Sequence, residues 1–576
     1  MPDVSPHPDR YKWIALSNTT IGVFMAMVNS SIVIIAMPAI FRGIELDPLQ
    51  PSNVGYLLWM LMGYLLVSAV FVVLFGRLGD IFGRVRMYNL GFAVFTLASL
   101  VLGFVPGSGA TGALELIVLR IVQGIGGALL MANSAAILTD AFPENQRGFA
   151  LGLNQVAALA GSFVGLIAGG LLATWSWRMV FWLSVPFGLF GTAWSYWKLR
   201  EVGERTHARI DVWGSITFAV GLTAVLIGIT YAIQPYGDRA TAWTSPAVLA
   251  LLAGGAVVLA GFLLIERRAQ APMLNLHLFR RRTFAAGNAA NLLASLARGG
   301  LQFMLILWLQ GVWLPLHGYA YEDTPLWAGI YMLPLTGGFL LAGPLSGWLS
   351  DRYGARGFAT AGLVIVAGTF GGLLALPTDF RYLWFALLLA ANGIGSGLFA
   401  APNTASIMNS VPAAERGAAS GVRATFQNTG MVLSIGLFFS LLIVGLAGSL
   451  PSALARGLAA HGVPPADVAR IAALPPVGTL FAAFLGVNPI AQLLGTSLLD
   501  QLPPAQAHVL AGRRFFPSLI SAPFREGLAL VFGIAIGLSM LAALASLLRS
   551  RRRRPPSTDH DARRGMTRAE GAQGVG

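Results

Sequence analysis

The chain has 576 residues, 56% hydrophobic and only 11% charged, with a mean hydropathy of +0.69. A soluble protein carries roughly 25% charged residues, so this composition excludes a water-soluble globular protein and places the chain in lipid. The absence of cysteine excludes disulfides, thiolate chemistry and cysteine-ligated metals. The net charge of +14 leaves two readings, nucleic-acid binding or a topological excess in short loops.

A spanning helix needs roughly 20 mostly apolar residues. That test predicts fourteen spans, near 14–40, 54–75, 87–105, 113–138, 149–173, 179–199, 211–234, 246–265, 284–312, 326–346, 358–376, 382–407, 418–446 and 525–548. The first run is too long for a cleavable signal peptide and lacks a small-residue cleavage site. If the N-terminus lies inside, the N-terminal segment and the short inner loops hold 18 Lys and Arg. The short outer loops hold four, Arg42, Arg178, Arg239 and Arg381. This asymmetry puts both termini on the cytoplasmic side of the cell membrane. Arg551 to Arg554 then read as a stop-transfer anchor rather than a nucleic-acid contact, and no nucleic-acid partner is expected.

Between the second and third spans lies a charged, glycine-punctuated turn, Gly76-Arg77-Leu78-Gly79-Asp80-Ile81-Phe82-Gly83-Arg84-Val85-Arg86. A near copy, Gly347-Trp348-Leu349-Ser350-Asp351-Arg352-Tyr353-Gly354, follows the tenth span at an offset of 271. Pro143 to Gly148 recurs at Pro412 to Gly417, and Gln123-Gly124-Ile125-Gly126 at Asn392-Gly393-Ile394-Gly395, both at 269. Near-equal spacings mean a duplicated unit. Spans 1–6 match spans 9–14, and spans 7 and 8 form an unmatched insert.

The expected fold is an all-α polytopic membrane protein, two six-helix bundles in a pseudo-twofold arrangement plus two inserted helices. Its parts are an N-terminal bundle at 1–200, the insert and inner linker at 201–282, and helices 9–13 at 283–446. An outer loop at 447–524, the last helix at 525–548 and a basic tail at 549–576 complete it. In the outer loop, Val477 to Val487 is apolar but too short to span, and Asn488-Pro489 interrupts it. Short amphipathic helices on the outer leaflet or capping the outer mouth are expected there.

These residues resemble the major facilitator superfamily, and within it the fourteen-helix drug:proton antiporter branch. The Gly76–Arg86 turn is similar to the superfamily's loop signature between helices 2 and 3. Arg120-Ile121-Val122-Gln123-Gly124 is similar to its Arg-x-x-Gln-Gly pattern in helix 4. Gly161, Gly165, Gly169 and Gly170 resemble the helix-5 antiporter signature, with Leu166 where Pro is usual. Trp177-Arg178 with Phe181 and Pro186 matches a further pattern at helix 6. The resemblance implies a secondary transporter that exports small amphipathic compounds by alternating access, with a proton or another ion as coupling partner and no cofactor. It also implies that Asp80 meets the positive end of the helix opening near Gly417, and Asp351 that of the helix starting at Gly148, as latches. Gly76, Gly83, Arg84, Gly347, Arg352 and Gly354 belong to the same turns. The bland alternative is a solvated turn anchored by charges.

Glycines four apart in helix 5 let a neighbouring backbone come close, for packing or for pivoting. Three arginines lie inside predicted helices, and each must find a cavity or a partner, because burial at mid-membrane costs about 2.5–3.5 kcal/mol on insertion scales. Arg120 shares a face with Gln123. Arg423 is close enough to a helix end to snorkel. Arg298 is deeper. The antiporter branch carries an acid in helix 1, whereas this chain has Asn29 there. Asn29 corresponds to Arg298 at the repeat offset, so the pair is expected to face each other across the axis as a substrate or anion contact. The only acids within the predicted helices are Glu115, Asp211 and Glu526, none at mid-depth. Glu115 is the candidate proton carrier.

An exporter of one endogenous lipid or metabolite and a facilitator without proton coupling are narrower readings. A membrane enzyme would need clustered His or acids, a nucleophile elbow or a phosphate loop. Gly343-Pro344-Leu345-Ser346-Gly347 has the wrong spacing, and Gly107-Ser108-Gly109-Ala110-Thr111-Gly112 lacks the lysine. No metal site is expected. A receptor would tolerate loss of both charged turns, which this chain retains.

Overall fold

The computed structural model describes residues 8–47, 50, 53–143, 146–202, 211–237, 239–269, 272, 276–412, 416–485 and 488–549. Among them no β-strand occurs, and thirteen helices are long and apolar enough to cross a membrane. The N-terminal half holds α1 (Pro8–Gly43), α2 (Val54–Phe82), α3 (Arg84–Leu102), α4 (Gly109–Ala141) and α5 (Arg147–Trp175). The sixth predicted span is in two pieces, α6 (Met179–Trp182) and α7 (Ser184–Lys198), and so stands outside that count. Pro186 has no N–H to offer the Trp182 carbonyl one turn back, which weakens the helix at this break. The inserted pair is α8 (Val212–Ala232) and α9 (Pro246–Arg268).

The ninth span is broken at Gly299-Gly300 into α10 (Arg282–Arg298) and α11 (Leu301–Trp308), followed by a π-helical turn at Leu309–Trp313 and α12 (Leu314–Leu316). Pro315 removes the N–H that the Gly311 carbonyl would accept in an α-helix. The tenth is α13 (Thr324–Tyr331) and α14 (Leu333–Tyr353); α15 (Ala355–Ala375), α16 (Tyr382–Asn409), α17 (Arg416–Ala459) and α22 (Phe515–Leu547) complete the bundle. α17 runs thirteen residues past the predicted end at 446, and α22 starts ten before the predicted 525. The intervening loop folds as α18 (Pro465–Ala472), α19 (Pro476–Leu485), α20 (Pro489–Leu499) and α21 (Pro504–Ala511).

The two halves use the same packing pairs. α1 packs along α5 as α10 does along α17, α2 along α4 as α14 does along α16, and α3 along α4 and α7 as α15 does along α16 and α22. The duplication reaches single hydrogen bonds. Gln123 Nε2 donates to Ser99 Oγ at 2.8 Å, and Asn392 Nδ2 donates to Thr369 Oγ1 at 2.8 Å, each tying the fourth helix of a half to its third. Ser195 donates to Asn89, and Thr360 Oγ1 donates to Ser546 Oγ at 3.1 Å, each tying the third helix to the sixth.

The halves meet along two seams, α2 with α17 and α5 with α13. In the second, a Cβ on Gly170 would lie 2.5 Å from the Leu326 Cα, so only glycine admits the contact. α8 covers the first seam, where Leu222 and Leu226 join Val67, Val70 and Val432 in one apolar cluster.

Candidate functional site

Arg120 on α4 is 2% exposed, and its burial is compensated from three sides. Nε donates to the Met60 carbonyl at 3.0 Å, Nη1 donates to Gln123 Oε1 at 3.3 Å, and the guanidinium lies 5.0 Å from the Tyr64 ring centroid. A planar, weakly hydrated guanidinium suits such a site better than an ammonium. Gln123 is the hub. It also accepts from Asn29 Nδ2 at 2.8 Å, and it donates to Ser99. Asn29 is fully buried and commits its amide N–H to its own half, and no hydrogen bond joins it to Arg298 among the described residues.

Arg298 lies midway along the ninth span, 282–316. It ends α10 at the Gly299-Gly300 break, where a helix C-terminus favours a cation. Its Nε is buried without a hydrogen-bond partner. The break is braced by α17, since the Gly300 N–H donates to Ser434 Oγ at 2.9 Å. Arg423, half-buried, donates to Gln427 Oε1 at 2.7 Å one turn along its own helix. Gln310 in the π-turn gives no signal in the sequence. It is fully buried, and both its amide atoms lack partners.

Glu115 lies at the end of the bundle opposite the charged turns, half-buried, where its Oε2 accepts the Gly107 N–H at 3.2 Å and staples the turn leading into α4. Asp211 caps α8 by accepting the Gly214 N–H at 2.8 Å, and Glu526 accepts from Ser449 Oγ at 2.5 Å. Several helices run past their predicted ends and take in further acids, of which Glu266, in α9 past the predicted end at 265, is 3% exposed.

Both charged turns bend at a glycine with positive φ, Gly83 at +108° and Gly354 at +93°, a conformation L-residues rarely adopt. Around the first, Arg84 binds Asp80 at 2.7 Å and Asp140 at 2.6 Å, pinning the ends of α2 and α4 together. Glu201 accepts the Arg84 N–H at 2.7 Å and so caps the amino end of α3. Gly76 is half-buried near Ala132 of α4. Asp140 and Glu201 are far from the turn in sequence, so the motif itself gives no sign of them. In the second copy Gly347 lies near Ala401, Arg352 is exposed over its own Tyr353 ring at 5.6 Å, and Ala355 stands where Arg84 stood. Residues 144, 145 and 413–415 and the side chain of Asp351, on which the latch contacts depend, lie outside the described residues.

The α5 glycines press on backbone. A Cβ at Gly161 would meet the Phe24 carbonyl at 2.5 Å, one at Gly165 the Val28 carbonyl at 2.5 Å, and one at Gly169 the Ile32 carbonyl at 2.9 Å, all on α1. Gly170 faces α13 of the other half instead. The run therefore serves both tight packing and the seam between halves.

The family model for the Major Facilitator Superfamily matches residues 19–435. The chain is 30% identical over 479 residues to the tetracenomycin C resistance and export protein of Streptomyces glaucescens, covering 81% of this chain and 84% of that protein. It is 30% identical over 455 residues to multidrug resistance protein Stp of Mycobacterium tuberculosis, covering 78% and 79%. A peptide transporter POT solved in complex with sulfate shares the fold, with a TM-score of 0.55 at 14% identity over 89% of this chain and 97% of that one.

Proposed function

The chain belongs to the Major Facilitator Superfamily, and from that premise we propose that it exports small amphipathic organic molecules by alternating access. It is an integral, multi-pass membrane protein and a secondary transporter, of a family whose members are not enzymes. One observation carries the mechanism. Two bundles built on the same helix pairs touch along two seams, so the contacts at one end can open while those at the other close. The names of the two relatives, an export protein and a multidrug resistance protein, support outward movement of organic compounds.

In this reading the charged-turn end is cytoplasmic, following the Lys and Arg asymmetry. The knot of Asp80, Arg84, Asp140 and Glu201 holds the N-terminal half rigid there, and Asp80 and Asp351 act as paired latches. The Asn29–Gln123–Arg120 hub keeps a polar, hydrogen-bonded core under the pathway, and Arg298 offers unpaired positive charge to an anionic group of the substrate. A proton is the proposed coupling ion, exchanged at Glu115.

Purified protein in liposomes, with pH and sodium gradients varied separately, tests this. Movement of a dye such as ethidium that follows the pH gradient alone is expected. Glu115→Gln, whose carbonyl can still accept the Gly107 N–H, should abolish that dependence. Movement that ignores both gradients would establish facilitated diffusion instead.

A further inference from the structure

The loop helix α19 is the wrong length for its surroundings. At ten residues it is about 15 Å long, half what a bilayer core requires. Yet every residue from Val477 to Leu485 is buried. It touches α1 and α2 of one half, and α17 and the π-turn of the other. Helix α18 is bent 89° from it, so the chain dips into the bundle at this point.

The contacts differ between the halves. On the C-terminal side, Phe481 lies 5.7 Å from Phe439 and Phe484 lies 5.7 Å from Phe303, while Phe303 and Phe439 are themselves 4.7 Å apart. Such ring pairs are each worth about 0.5–1.5 kcal/mol beyond their burial. Gly311 of the π-turn receives Ala483 directly, with a Cβ there only 3.5 Å from the Ala483 Cβ. Next to Gly311 is Gln310, buried with both amide atoms unpaired. An unpaired buried amide is costly, and π-turns concentrate at functional positions.

We propose that α19 is a resident plug in the mouth opposite the charged turns, and that its withdrawal uncovers an exit subsite. A segment held by both halves cannot stay bound to both once that mouth opens. It leaves α1 and α2 and also gives up its aromatic contacts with the C-terminal half. The place it vacates offers the Phe303–Phe439 pair to an aromatic ring, with the Gln310 amide nearby for a hydroxyl, carbonyl or amide group. The substrate class is thus an aromatic compound bearing a hydrogen-bonding group. This inference rests on the transport reading above.

Because the chain has no cysteine, introduced thiols are the only ones present. Gly311→Cys with Ala483→Cys places two Cβ atoms at a separation that suits a disulfide. In liposomes, the oxidised double variant should move ethidium at least tenfold more slowly than after dithiothreitol, with the single variants indifferent to oxidant. Equal rates before and after reduction would overturn the plug.

A second readout needs no substrate. Ala483→Cys should react with a membrane-impermeant maleimide at least tenfold more slowly than Arg470→Cys on the exposed part of α18, yet reach completion. Equal rates would mean the plug is not seated. No labelling over hours, where Arg470→Cys reacts, would mean it never withdraws. If the unmodified chain moves no ethidium under any gradient, export of that dye fails while the labelling still decides the plug.

Discussion

The two halves answer the same folding problem alike and a chemical problem differently. Both bend their charged turn at a positive-φ glycine, and both tie the third helix to the fourth and sixth with side-chain hydrogen bonds. Their buried charge, however, is arranged in opposite ways. In the N-terminal half the cation is Arg120 on the fourth helix, and the first helix supplies the neutral Asn29. In the C-terminal half Leu389 occupies the Arg120 position, Leu335 that of Tyr64, and the cation moves to Arg298 on the first helix of the unit. Asn392, one methylene shorter than Gln123, bonds Thr369 alone. At the hub of the first half Gln123 bonds Asn29, Arg120 and Ser99, leaving Asn29 Oδ1 unpaired. The second keeps Arg298 Nε and the Gln310 amide unpaired.

The largest expected effect tests the hub. Gln123→Ala takes a partner from Asn29, Arg120 and Ser99 at once, and should cost about 2 kcal/mol or more. Asn392→Ala removes one bond and should cost about 0.6 kcal/mol. Thermal unfolding in detergent, followed by tryptophan fluorescence, reads both, and equal shifts would erase the contrast.

Next is the knot. Arg84→Ala leaves Asp80 and Asp140 without their shared cation and should slow liposome uptake about tenfold, equivalent to about 1.4 kcal/mol. Ala355→Arg, which writes the missing cation into the second copy, should change uptake less than twofold. A smaller effect separates the turns themselves. Gly354→Ala meets only the positive-φ penalty of about 1 kcal/mol. Gly83→Ala should exceed it, because its Cβ would also lie 2.6 Å from the Glu201 carboxylate. Smallest in stability is Arg298→Ala, expected to leave the melting temperature within about 1 °C, since its Nε makes no bond to lose. It should nonetheless lower uptake of an anionic probe about threefold against a neutral one. Unchanged discrimination would remove Arg298 from the pathway.

Much of this was legible from the chain. Apolar runs of sufficient length gave the spans, and the repeat offset gave the symmetry. The breaks near Pro186 and Pro315 follow from missing N–H groups, but periodicity alone runs straight through them. The partners of the turn could not be read. Asp140 ends one helix and Glu201 follows another, and only the packing of α4 and α7 brings them to Arg84. The repeat offset pairs Asn29 with Arg298 across the axis, yet Gln123 takes its amide N–H. For α19, the length rule decides whether a run can cross a bilayer and says nothing of burial inside protein. The short apolar segment expected on the outer leaflet or over the mouth is enclosed by α1, α2, α17 and the π-turn.

α17 is 44 residues long, about 66 Å of one helix, roughly twice the hydrocarbon thickness. Leu450, Leu454 and Leu458 on its far portion are fully buried among the loop helices. Pro451 lies at the start of that far portion, and where the helix holds its line past it, the extension has the geometry of a lever. An inclination of about 10° in the bilayer carries a point about 30 Å beyond it sideways by about 5 Å, close to one helical pitch. Small angular changes at the seam thus become displacements large enough to shift the neighbouring segments by a full turn.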